Sequence, residues 1–155
     1  MKLYSLKTTI DLPISIEEAW RYFSDPKNLS KITPPDLQMK ITSEVVDNIY
    51  AGMIITYTVK PILGIPVNWV TEITQVNQPY LFIDEQRLGP YRFWHHQHHF
   101  QAIEGGTRIQ DQVHYALPFG LLGSIMNRFK VSYQLQQIFA HRRQILENTF
   151  GKLET

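Results

Sequence analysis

At 155 residues the chain has the length of one domain, enough to bury a core without covalent staples. It contains no cysteine, which excludes disulfides and thiolate metal sites and suits a reducing cytoplasm. The net charge is +1 with histidines neutral, and the scattered basic residues carry no nucleic-acid signature, so a polyanion partner is not implied.

The first residues, MKLYSLKTTIDLP, alternate apolar with polar side chains, which is the pattern of a half-buried strand over 3–12 and not of a signal peptide or membrane span. Ser15 and Glu18 then have capping-box spacing, with Ala19, Trp20 and Phe23 forming the apolar face of a short helix. Asp25-Pro26 stops this helix, residues 27–32 allow one more helical turn, and Thr33-Pro34-Pro35 is predicted to be extended.

Six strand-like runs follow, at 37–46, 53–60, 66–77, 80–88, 91–103 and 107–117. Short Gly-, Pro- and Asn-containing connections separate them and predict an antiparallel meander. Residues from about 121 to 150 predict one long helix with a stripe of Leu122, Ile125, Met126, Phe129, Tyr133, Leu135, Ile138, Phe139, Ile145 and Leu146, ended by Gly151. A sheet of about seven strands has one apolar face to cover, and this helix has one stripe to bury, so the two are predicted to cover each other.

Four of the six histidines, His95, His96, His98 and His99, lie within five positions. Strand alternation puts Trp94, His96, His98 and Phe100 on one face, and Ile109, Asp111, Val113 and Tyr115 on one face of the next strand. If Gly105-Gly106 is a two-residue turn, Phe100 opposes Asp111, His98 opposes Val113 and His96 opposes Tyr115, with both sets turned inward. Trp69, Thr71 and Ile73 read as inward by the same parity. For the 80–88 run, either Phe82, Asp84 and Gln86 or Ile83, Glu85 and Arg87 face inward.

The order of elements resembles the helix-grip superfamily of START domains, birch-pollen allergens and polyketide cyclases, over the whole chain. Asp84-Glu85-Gln86, Gly89-Pro90-Tyr91-Arg92, Trp94-His95-His96, Gly105-Gly106-Thr107-Arg108 and Tyr115-Ala116-Leu117-Pro118-Phe119-Gly120 look like a bacterial subgroup labelled polyketide cyclase/dehydrase-like or cell-division inhibitor. The resemblance implies an α+β fold with a ligand cavity between sheet and terminal helix. By resemblance its wall would include Trp69, Trp94, His96, His98, Phe100, Asp111 and Tyr115, with Ile138 and Phe139 from the helix. No motif carries over a cyclase's catalytic residue.

Three sharper readings arise. His96-x-His98 puts two imidazoles on one face, about 7 Å apart along the strand, but no third ligand stands at a zinc-motif spacing, so hydrogen-bonded histidines and no metal are expected. General acid–base chemistry would use His96 or His98, with Asp111 fixing the tautomer and Tyr115 polarising a carbonyl. Arg128, Lys130, Arg142 and Arg143 on the helix fit a solvated face better than a membrane or protein surface, being dispersed. His95, His99 and His114 are expected on the outer face. The expectation is a cytoplasmic single-domain protein, residues 1–155, binding a hydrophobic or aromatic small molecule with no obligatory cofactor. A cyclase or dehydratase is the alternative, a regulatory interaction module the third, and nothing specifies an oligomer.

Overall fold

A computed structural model describes residues 2–44, 46–62, 65–118 and 130–153. The elements are β1 (Tyr4–Leu12), α1 (Ile16–Phe23), two 3-10 turns (Pro26–Asn28 and Pro35–Leu37), β2 (Lys40–Ile41), β3 (Ile54–Ile62), β4 (Ile65–Asn77), β5 (Leu81–Leu88), β6 (Phe93–Ile103), β7 (Gly106–Ala116) and α2 (Ser132–Phe150). The strands form a seven-stranded antiparallel sheet in the order β1-β7-β6-β5-β4-β3-β2. The meander brings β7 back beside β1, and α2 lies against the inner face: this is the helix-grip architecture. Among the described residues, no helix is long and apolar enough to cross a membrane.

Local chemistry accounts for most boundaries. Ser15 Oγ accepts from Glu18 N at 3.1 Å and starts α1, and Gly151, at φ +93, ends α2. Pro34 is extended as predicted, but Pro35 opens a 3-10 turn, since its fixed φ suits a first helical position. The first meander strand contracts from 37–46 to Lys40–Ile41, because Gln38 is left-handed and, among the described residues, only Lys40 and Ile41 have ladder partners on β3. In the other direction, β3 continues past Pro61 to Ile62. The helical expectation at 121–129 lies outside the described residues.

The β6–β7 hairpin turns at Glu104-Gly105, not at Gly105-Gly106: Ile103 pairs with Gly106, His98 with Asp111 and His96 with Val113. Gly105, at φ +77, takes the left-handed position. Gly106 has its own reason to lack a side chain, since a Cβ there would stand 2.1 Å from the Leu12 carbonyl oxygen. The pairing thus slips by two residues, an even number, so the inward faces stay as predicted while the partners change.

Three zones of core result, one of them Val113, Tyr115, Val131, Leu135 and Phe139 where α2 meets β7. Under α1, Trp20 meets Phe82 and Phe100 edge-on, with centroids 5.8 and 5.6 Å apart, and Leu12, Ile109 and Leu146 close this end. Toward β3 and β4, Ile55, Tyr57, Trp69 and Ile73 form a second apolar wall. The buried residues of α2 are Leu135, Phe139, Arg142 and Leu146, while Tyr133, expected in the stripe, is exposed.

Replacing Gly106 by alanine should push β7 away from Leu12 and destabilise the fold by about 1–3 kcal/mol, the usual range for overpacking. Urea denaturation checks this, with unchanged stability as the contrary result.

Candidate ligand-binding site

Where α2 crosses β3–β6, the curved sheet and the helix leave a cavity of about 180 Å³. Its sheet wall comes from Tyr57, Trp69, Thr71, Phe82 and Trp94, its helix wall from Leu135, Ile138 and Phe139, and Ile32 and Leu37 close it from the segment after α1. Tyr57 and Trp69 stack at 5.8 Å and Trp69 meets Trp94 edge-on at 5.3 Å, so this wall is aromatic.

One part of the lining is polar. β5 supplies Asp84, β6 supplies His96 and His98, β7 supplies Asp111 and α2 supplies Arg142. His96 Nε2 donates to Asp111 Oδ1 at 2.8 Å and His98 Nε2 donates to Asp84 Oδ2 at 2.7 Å. Two cross-contacts complete the weave: His96 Nδ1 lies 3.4 Å from Asp84 Oδ2, and His98 Nδ1 lies 3.1 Å from Asp111 Oδ1 without hydrogen-bond geometry. Arg142 Nη1 reaches Asp111 Oδ1 at 3.4 Å. The imidazoles, spaced by a strand repeat, lean together until their centroids are 3.8 Å apart, because the same two carboxylates hold both.

Burial works against both carboxylate charges, yet the surrounding donors outweigh it. Asp111 is held well below the ordinary carboxylate range by His96, His98 and Arg142, and Asp84 is lowered by His96, His98 and Arg142. For His98, burial is overcome by the attraction of Asp111 and Asp84, and the imidazolium is favoured. For His96, burial and the neighbouring His98 charge win, so the neutral ring is favoured. The cluster is then two carboxylates, one imidazolium and one guanidinium, formally neutral and largely cut off from water. Beside it, burial and the Asp84 charge push the Tyr57 hydroxyl up, keeping it protonated.

Trp69, Trp94, His96, His98, Ile138 and Phe139 all line the cavity. The remaining three residues named from resemblance lie elsewhere. Phe100 packs under α1 against Trp20 and Phe23, Tyr115 stacks on Tyr4 at 5.5 Å, and Asp111 lies behind the histidines. There it borders a second cavity of about 140 Å³ against β1, to which Phe139 and Arg142 also contribute. His95, His99 and His114 are only partly buried on the outer face, where His95 bonds Glu85 at 2.6 Å.

Two residues of the site stand apart from the sequence reading. Asp84 becomes inward once β5 pairs Asp84 with His96 and Phe82 with His98, a choice the sequence left open. Arg142 corrects the solvated-face expectation: it is 7 % exposed, inside the cluster. Its signal was present, since Leu135, Phe139, Arg142 and Leu146 recur at intervals of four, three and four, and a lone arginine on such a stripe needs a buried partner. One ring nitrogen of each of His96 and His98 and an oxygen of Asp84 lie within 4.8 Å of one another, so Asp84 also supplies the third potential metal ligand that sequence spacing did not reveal.

Changing Asp111 to leucine leaves the imidazolium and guanidinium facing an apolar group. The expected loss is about 3–5 kcal/mol in urea denaturation, partly recovered in the Asp111→Leu/Arg142→Met double variant. A single variant as stable as the parent would contradict the buried-charge account.

No protein-family model matches the chain, and no curated protein matches it. Solved structures do. Ginseng major latex-like protein 151 from Panax ginseng superposes with a TM-score of 0.69 at 11% identity, over 96% of this chain and 97% of that one. Protein TTHA0849 from Thermus thermophilus gives 0.66 at 20% identity, over 95% of each chain. Protein Ms6760 from Mycobacterium smegmatis gives 0.66 at 18%, over 96% of this chain and 98% of that one. At such identities the likeness is one of fold, and the chain shares the helix-grip fold of these proteins from end to end.

Proposed function

We propose that this protein is a cytoplasmic binding protein that takes a hydrophobic or aromatic small molecule into the cavity between sheet and α2. The observation that carries this reading is a cavity lining that combines aromatic walls, at Tyr57, Trp69 and Trp94, with one compact polar spot at Asp84, His96, His98 and Arg142. Apolar walls supply affinity through burial, and a few convergent polar groups fix orientation, which is the usual design of small-molecule pockets. The helix-grip fold places the cavity where sheet curvature and one straight helix cannot close on each other.

Binding is favoured over turnover because the polar groups are committed to one another. His98 sits between two carboxylates, His96 donates to Asp111, and Arg142 faces Asp111, so most of the cluster's hydrogen-bonding capacity is spent within it. Trp69 Nε1 and Arg142 Nε are buried with no acceptor among the described residues, which favours an occupant bearing an oxygen.

Native mass spectrometry of protein purified from its own host should show a co-purifying apolar molecule. In vitro, the uncharged fluorophore 1-aminoanthracene should bind with one-to-one stoichiometry and quench Trp69 and Trp94. Ile138→Trp, which fills the cavity from α2, should weaken this binding by about tenfold or more while far-UV circular dichroism stays unchanged. A probe that ignores the parent protein, or binds the folded variant equally well, would sink the reading.

A further inference from the structure

We propose that Asp84, His96 and His98 form a binding site for a divalent transition-metal ion of the zinc class, with its remaining coordination positions open to the apolar cavity. This goes beyond the binding of an apolar molecule and adds a chemical class to it: the occupant would be an apolar compound with an oxygen donor, such as a carboxylate or phenolate.

The ligand set is two imidazoles and one carboxylate, a donor combination that suits zinc and its neighbours. With bonds of about 2.0–2.1 Å, the edges of a tetrahedral site are about 3.3 Å. His96 Nδ1 and Asp84 Oδ2 stand 3.4 Å apart, near that edge length. His96 already donates Nε2–H to Asp111, so in the neutral ring Nδ1 carries a lone pair, and this lone pair faces a carboxylate oxygen. Both atoms are donors of the kind an ion takes, and they stand at the separation that two ligands of one ion have. On the other side, the 2.7 Å contact of His98 Nε2 with Asp84 Oδ2 holds a proton in the metal-free state; metal replaces that proton and opens the contact by roughly 0.6 Å.

Behind this triad stands a support of the kind metal sites use. Asp111 bonds the far nitrogen of His96 at 2.8 Å, fixing that ring as a carboxylate behind a metal-bound imidazole does, and lies 3.1 Å from the far nitrogen of His98. Arg142 and Asp111 balance each other's charge, leaving the Asp84 charge and the two imidazoles to face the ion. All three ligands line the cavity, so a bound oxygen donor would complete the coordination sphere from the side where an apolar body fits.

The full-length protein, stripped with chelator, should bind Co(II) with one-to-one stoichiometry and develop the visible absorption of four- or five-coordinate cobalt, which Zn(II) then abolishes by displacement. Asp84→Asn should weaken binding by about 100-fold or more, with unchanged far-UV circular dichroism and a cooperative urea transition as the check that the fold is intact. The outer-face variant His95→Gln/His114→Gln should bind cobalt like the parent. The proposal is overturned if cobalt stays six-coordinate and weak, if Asp84→Asn binds as the parent does, or if affinity is lost in the outer-face variant instead. Fluorophore binding is measured without metal, so failure here leaves the apolar-binding reading standing, and failure there leaves this one.

Discussion

Two ionised carboxylates, Asp84 and Asp111, lie inside this protein, and the surrounding structure is arranged so that they can stay ionised there. An unpaired carboxylate at such a position would be severely penalised, so each needs donors with fixed geometry. The carboxylates stand on β5 and β7, and their donors come from two further elements, His96 and His98 on β6 and Arg142 on α2. A slip of any one strand, or a rotation of the helix, separates a charge from its partner. The cluster thereby sets the register of the sheet's centre and the rotation of α2 against it.

The cavity follows from the same arrangement. α2 is drawn down onto the sheet at Arg142 and at Leu146, where it packs beside Ile10, Leu12 and Ile109. Toward its N-terminal half it faces the aromatic wall of β3 and β4 across the open volume, reached by Leu135, Ile138 and Phe139. The helix is anchored at one end by close packing and charge and at the other by Val131, Leu135 and Phe139 against Val113 and Tyr115, and the space lies beside it toward β3 and β4. The lining of that space offers both the charged cluster and aromatic rings, so a polar group and an apolar body would each have their own partners.

The sequence was a good guide to faces and a poorer one to partners. Parity along β6 and β7 puts His96, His98 and Asp111 inward, and because the hairpin register is displaced by an even number of residues, that survives the change of turn. What changes is that His98, not Phe100, stands opposite Asp111, and Phe100 moves into the core beneath α1. The two-residue displacement comes from Gly106, which is needed for close approach to Leu12 while Gly105 alone makes the left-handed turn. Two adjacent glycines look alike in a sequence and serve different ends in the fold.

The sequence by itself determined the element order, the antiparallel meander, the inward parity of most strands and the mutual covering of sheet and helix, because alternation, helical periodicity and turn residues are local properties of the chain. It left open the face of β5, and it set Arg142 among solvated residues. Only the tertiary structure decided these, since Asp84 turns inward through its pairing with β6 and Arg142 is buried through a contact with Asp111, 31 residues away. A charged side chain carries no local mark of its partner; the partner exists only once the sheet has closed and the helix has been laid across it.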